Sequence, residues 1–241
     1  MKPAIQSSFK RYEEKYMLSP AQFEAMKKGM EQYMEPDVYG QTTNCNIYYD
    51  TDHWDLVRKS IEKPVYKEKL RVRSYGIPHT GDPVFIEIKK KFDDVVYKRR
   101  ITMPVQNAEA YLAGNMKLSP GNQIGKEIEW FQKMYLAKPK VYLAYDRTSF
   151  AGIENQELRI TFDRNIRFRE YALKLSDGDF GESLTGDDSV LMEIKIPGTA
   201  PLWLAHLLSE IGARETSFSK YGTYYKKVVM NKNRREIAYS A

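Results

Sequence analysis

The residues of this chain that could do chemistry are arginines, lysines and glutamates set at alternate positions of strand-like segments. In YKEKLRVRSYG, 66–76, Lys67, Lys69, Arg71 and Arg73 fall on one parity. Lys98 and Arg100 do the same in DVVYKRRITM, 94–103. So do Arg159, Arg167 and Arg169 in ELRITFDRNIRFRE, provided no bulge breaks the strand at 163–165. Lys15, Lys89, Arg147 and Lys195 extend the set, and Glu13, Glu87 and Glu193 are its acidic members. FIEIKK places Glu87 beside Lys89, and LMEIKI places Glu193 beside Lys195. Successive strand side chains leave opposite faces, so each segment has one apolar and one charged side.

For one strand, water on the charged side is a sufficient account. Several such strands together strain it, because like charges facing each other across strands cost roughly 0.2–1 kcal/mol per pair. A sheet curled around this face would concentrate positive potential and need an anion. The abundance of arginine points to phosphate, whose oxygens match the guanidinium fork. Neither G-x-x-x-x-G-K-[ST] nor G-x-G-x-x-G occurs, so no glycine-rich backbone cradle is available. One cysteine and three scattered histidines, His53, His79 and His206, make no zinc constellation. What remains is a side-chain cage, with basic residues around a polyanion and carboxylates holding Mg²⁺ or Mn²⁺.

These residues need a strand-rich scaffold, and the composition suits one. The chain has 241 residues, is 42% hydrophobic and contains 18 tyrosines. Its formal charge of +6 suggests no more than a preference for anionic partners. Cys45 stands alone, the N-terminus lacks a signal-peptide pattern, and no apolar run reaches ~18 residues. The expectation is a single cytoplasmic domain, 1–241, with no membrane span. Strands are expected over 9–18, 43–50, 66–76, 83–91, 94–103, 139–150, 157–170 and 190–196. Helices are expected after Ser19 through Met34, at 52–60, 105–115, 123–136, 201–212 and 217–230, with a frayed tail after Asn231. Trp54, Trp130 and Trp203 are expected in the core, Tyr221 and Tyr225 as packing for the last helix, and Lys90 and Arg99 in solvent.

RYEEKY, IYYDT, KLRVRSYG, VFIEIKKK, VVYKRRI, YDRTSF, LRITFD, LMEIKI and FSKYG follow one another in this order. The ordered series resembles the catalytic domain of the vacuolar transporter chaperone (VTC) polyphosphate polymerases, in the CYTH-like triphosphate tunnel metalloenzyme superfamily, over about 9–228. The resemblance implies an α+β fold: an antiparallel eight-stranded barrel forming a tunnel, with helices packed outside. It implies a polymerase that moves the γ-phosphate of ATP onto polyphosphate with Mn²⁺ or Mg²⁺, and no specific nucleic-acid partner. Lys15, Arg71, Arg73, Lys89, Lys98, Arg159 and Arg169 would bind phosphate, Glu193 would hold the metal, and Lys220 of FSKYG would be the essential lysine.

Adding the residues of matching parity gives the full expected site. Arg71, Arg73 and Lys220 are its catalytic members. Lys15, Lys69, Lys89, Lys98, Arg100, Arg147, Arg159, Arg169 and Lys195 bind phosphate, and Glu13, Glu87 and Glu193 bind metal. The superfamily's opening E-x-E-x-K strand reads Arg11-Tyr12-Glu13-Glu14-Lys15 here. Loss of the first glutamate favours the polymerase over a triphosphate or tripolyphosphate hydrolase. A polyphosphate-binding module without turnover is the alternative of another class. No inositol-phosphate-sensing or membrane part of the eukaryotic complexes is expected in this chain.

Overall fold

The structure, a computed structural model, describes residues 11–93, 95–186 and 188–232. Phe9 and Lys10 of the expected first strand, Asp94 of the expected fifth and the tail beyond Lys232 lie outside the described residues. The strands are β1 (Arg11–Leu18), β2 (Met34–Asp50), β3 (Tyr66–Tyr75), β4 (Pro83–Phe92), β5 (Val95–Pro104), β6 (Lys138–Gly152), β7 (Arg159–Arg169), β8 (Glu182–Ser183) and β9 (Val190–Pro197). The helices are α1 (Pro20–Met30), α2 (Asp55–Ile61), α3 (Val105–Leu112), α4 (Gln123–Tyr135), α5 (Leu202–Glu210) and α6 (Lys220–Tyr224). Hydrogen bonding orders the strands β1-β9-β7-β6-β2-β3-β4-β5, with the two-residue β8 beside β7. The fold is thus the expected antiparallel sheet with helices.

The chain forms two compact units. The first comprises the N-terminal residues to Thr42, Asp146–Asn165 and Thr185–Phe218. Here β9 pairs antiparallel with β1 on one side and β7 on the other. Tyr16, Leu18, Ile160, Phe162, Met192 and Ile194 form the apolar side, covered by Phe23, Met26 and Met30 of α1 and Leu204 of α5. Ser19 caps α1 as its sequence predicts: its hydroxyl accepts from the Gln22 N–H, and the Gln22 side chain accepts from the Ser19 N–H. Met34, expected at the end of that helix, instead opens β2. Pro36 supplies the reason, since it cannot extend a helix and biases the residue before it to extended backbone.

The second unit comprises Thr43–Tyr145, Ile166–Leu184 and the described residues from Ser219 to Lys232. β2, β3, β4 and β5 pair antiparallel in sequence order. Leu70, Val72, Ile86, Ile88 and Ile101 line the apolar side and pack with Ala108 and Tyr111 of α3 and Ile128 and Phe131 of α4. Lys90 and Arg99 share this outer side. Both pair with Glu127 of α4, so neither is simply solvated. Trp130, expected in the core, is 52% exposed beneath the Lys90 ammonium. The expected C-terminal helix is split, with α6 running into a π-helical turn at Tyr225–Val229.

Gly181 sets a stability test, because a Cβ there would lie 2.5 Å from the Phe168 carbonyl oxygen. The obstacle is backbone, which cannot rotate away. Gly181→Ala is therefore expected to lose about 1–3 kcal/mol, read as a lower urea midpoint at unchanged slope.

Candidate phosphate-binding site

The charged side of β3–β5 is built by register. Lys69, Lys89 and Lys98 stand abreast on three neighbouring strands. The adjacent row is Arg71, Glu87 and Arg100, and Lys67 and Lys91 pair beyond the lysines. Arg73 follows on β3, opposite Phe85. Alternation places all these side chains on one face, opposite the apolar core.

Glu87 organises this face. It is 2% exposed and lies between three cations: Arg71 Nε at 2.7 Å, Lys98 Nζ at 2.8 Å and Arg73 at 3.0 Å. Burial acts to raise its pKa, but Arg71 and Lys98 outweigh it and hold the carboxyl below the usual value. Arg71 also donates to the Tyr48 hydroxyl at 3.2 Å. Burial opposes its charge, yet Tyr48 and Glu87 more than offset this and keep the guanidinium protonated. Lys220 opens α6 behind its Ser219 cap, and its ammonium lies 4.2 Å over the Tyr145 ring.

The first unit holds a separate charged group. Arg147 grips Asp163 with two bonds of 2.6 and 2.7 Å and reaches Glu193 at 3.0 Å. Lys15 stands opposite Glu193 in register and pairs with Glu13 at 3.1 Å. Burial pushes Glu13 up, whereas Lys15 pulls it down more strongly than Glu193 pushes it up, leaving it net lowered. Lys195 faces Glu13 on one side and Arg159 on the other, and Arg159 pairs with Asp37.

One expectation, phosphate binding by Arg169, does not survive this geometry. Asn165 adopts φ 49°, which interrupts the alternation of β7. Beyond it Phe168 meets Tyr224, while Arg169 lies 3.5 Å from the Tyr142 ring in the apolar core. Arg169 is 1% exposed and donates to the carbonyls of Ala172, Lys174 and Phe180, so it fastens the 170–180 segment rather than facing phosphate. Arg167 likewise pairs with Asp179. Glu87, expected as a metal ligand, is enclosed by three cations and pairs with each of them.

Sequence reading missed Asp163, Asp50 and Tyr48. Asp163 could have been found, since it shares parity with Arg159 and opposes the sign of Arg147. Among the described residues, no cluster of three or more His, Cys, Asp or Glu could hold a metal. A divalent cation here would need ligands from its substrate, as Mg²⁺ commonly takes from phosphates.

Two substitutions separate these roles. Glu87→Gln should cost about 3 kcal/mol at neutral pH, because it leaves the mostly buried Arg73 and the partly buried Arg71 without their carboxylate. A depressed carboxylate stabilises above its ordinary pKa and loses that effect as pH falls through its folded value, so the difference from wild type should shrink in acid. Tripolyphosphate should raise the melting temperature of this variant more than of wild type; a smaller rise would restore Glu87 as a metal ligand. Arg169→Met should lower stability by on the order of 3 kcal/mol through its orphaned carbonyls, with tripolyphosphate affinity unchanged in calorimetry.

The chain is similar to known proteins in fold and in sequence. A solved structure of a candidate adenylate cyclase from Bacillus halodurans superposes with a TM-score of 0.53 at 14% identity, covering 86% of this chain and 92% of that one. That likeness concerns the fold. Subunit 4 of the vacuolar transporter chaperone complex from Trypanosoma brucei brucei is 26% identical over 151 residues. The match takes in 51% of this chain but only 19% of that protein, so this chain spans a minor part of the relative's length. The family model of the VTC domain matches residues 10–229, nearly all of the described chain, and the protein belongs to the VTC domain family.

Proposed function

We propose that this protein is a polyphosphate polymerase that transfers the γ-phosphate of ATP to the end of a polyphosphate chain. One observation carries the reading: Lys69, Lys89 and Lys98 stand abreast beside a row holding Arg71 and Arg100, with Glu87 as the carboxylate between. Such a face gathers more positive than negative side chains from its three strands, and a chain with about one negative charge per phosphate complements it. Membership of the VTC family supports the choice of ligand.

In the transfer, a terminal oxygen of the acceptor chain bonds to the γ-phosphorus. The bond from that phosphorus to the β–γ bridging oxygen breaks, and ADP leaves with the oxygen and its electron pair. Two polyanions must approach, so positioning and neutralisation are the main demands on the protein. Arg71 and Arg73 would hold phosphate oxygens in fixed directions, while the lysine row would hold the neighbouring units as point charges. Lys220 would neutralise charge on the transferring phosphate. Lys15, Lys195, Arg147 and Arg159 are the corresponding candidates in the first unit. Glu193, with Glu13 near it, would hold Mn²⁺ or Mg²⁺ together with substrate oxygens. Such an ion would supply further charge stabilisation when bound.

The test is incubation with ATP and Mn²⁺, followed by electrophoresis for polymer and an assay for ADP. Polymer with matching ADP is expected; orthophosphate without polymer would make the protein a hydrolase, and tight binding without either product a binding module. Lys220→Met should cut polymer formation by on the order of a hundredfold with little change in ATP affinity, since its contact strengthens as charge is transferred. Lys226, exposed on the same C-terminal segment, is the control, and Lys226→Met should leave the rate within twofold of wild type. Arg71→Ala should abolish turnover while retaining the folded spectrum.

A further inference from the structure

The hydrogen-bonded group around Asp50 links the arginine at the centre of the basic face to the helix that carries Lys220. Tyr48 and Asp50 are two residues apart in β2, so their side chains leave the same face. Tyr221 engages both. Its ring stacks on Tyr48 at 4.6 Å with planes 20° apart, and its hydroxyl donates to Asp50 Oδ2 at 2.7 Å. Asp50 is itself fixed, because its oxygens also accept from the N–H groups of Thr51, Leu56 and Val57. Those bonds fasten it to the end of β2 and the first turn of α2. Burial and the nearby Asp50 carboxylate push the Tyr221 phenol well above its ordinary pKa, so it remains an O–H donor.

The other end of the group is Arg71. Tyr48 Oη accepts from its NH1, and Glu87 accepts from its Nε. Bonds from two directions fix the plane of the guanidinium, which is what a bidentate grip on phosphate requires. Lys220 immediately precedes Tyr221, so docking Tyr221 also sets where α6 begins. Trp54 extends the same packing, lying 6.5 Å from Tyr221 and 5.7 Å from Tyr224 between ring centres.

We propose that Asp50, Tyr221 and Tyr48 are positioning residues that fix the Arg71 guanidinium and the Lys220 ammonium as one unit for a polyphosphate ligand. This rests on the polyphosphate reading of the basic face. It adds residues that touch no ligand but determine how two that do are aimed. The two tyrosine hydroxyls carry the hydrogen bonds, and phenylalanine keeps the stacked rings while removing them, so phenylalanine is the informative replacement.

The first measurement needs no ligand. In nitrogen-edited proton spectra of the whole protein, rotation of the Arg71 NH1 group should be hindered in wild type. Tyr48→Phe removes the acceptor and should speed that rotation by about tenfold, the equivalent of roughly one hydrogen bond. Tyr221→Phe should speed it by a smaller factor. The second measurement is calorimetric binding of tripolyphosphate in double-mutant cycles. Tyr48→Phe should weaken binding by about fivefold in the wild-type background and not at all alongside Arg71→Ala. Tyr221→Phe should behave likewise with Lys220→Met. Equal losses in both backgrounds would make the tyrosines structural only and overturn the inference, as would unchanged Arg71 rotation in Tyr48→Phe. If wild type binds no tripolyphosphate, the polyphosphate reading fails and the Arg71 rotation alone decides the positioning. If Tyr221→Phe does not fold, Tyr48→Phe decides it.

Discussion

Repulsion on the basic face is the constraint to which the second unit is built. Four cations on β3, two on β4 and two on β5 leave the same side of three adjacent strands, and Glu87 is the carboxylate among them. Coulomb energy between neighbouring unit charges at 4 Å is about 4 kcal/mol at the effective dielectric of a protein surface, so such a face needs compensation. Three features supply it. Glu87 is placed centrally and buried, where its charge is least screened. The apolar side is packed against α3 and α4 by Leu70, Ile86, Ile88, Ile128 and Phe131, which fixes the register whatever the charges prefer. The third is hydrogen bonding by the lysines themselves, as where Lys67 Nζ donates to the Ser60 carbonyl at 3.3 Å.

The strand segments and their charged parity were legible because a period of two is short and repeats within each segment. Lys67 to Arg73, and Glu87 with Lys89, needed nothing but alternation. Parity fails where backbone geometry departs from the ideal, and Asn165 is such a place. A single left-handed residue there turned Arg169 from a phosphate candidate into a core arginine bound to three carbonyls. The sequence raised the possibility of a bulge but could not weigh it. Helix ends were legible at Ser19-Pro20, where capping chemistry is local, and not at Met34, where Pro36 overrides a spacing that continues past the helix.

The site was legible as a list of charges but not as a network. Which carboxylate faces metal and which neutralises arginine depends on enclosure, and enclosure is tertiary. Glu87 and Glu193 occur in nearly identical strands, FIEIKK and LMEIKI, yet Glu87 sits among three cations while Glu193 is reached by Arg147, itself clamped by Asp163. The tyrosines were less visible still. Among 18 of them, spacing marks Tyr221 only as packing for the last helix and does not mark Tyr48, because their link runs through Asp50, more than 170 positions from Tyr221 in chain order.

An arginine already bonded to a carboxylate would seem a poor ligand for phosphate, but the arrangement has a use. Guanidinium carries five N–H donors in a plane, and Glu87 and Tyr48 accept from Nε and Nη1 of Arg71. Fixing the group in this way removes rotamer freedom before a ligand arrives, so less entropy is lost on binding. The same carboxylate offsets repulsion among Arg71, Arg73 and Lys98 before a ligand arrives. A neutral replacement would bind polyanion more strongly in electrostatic terms and aim it less well. Retaining Glu87 therefore trades attraction for direction in the anion that this face binds.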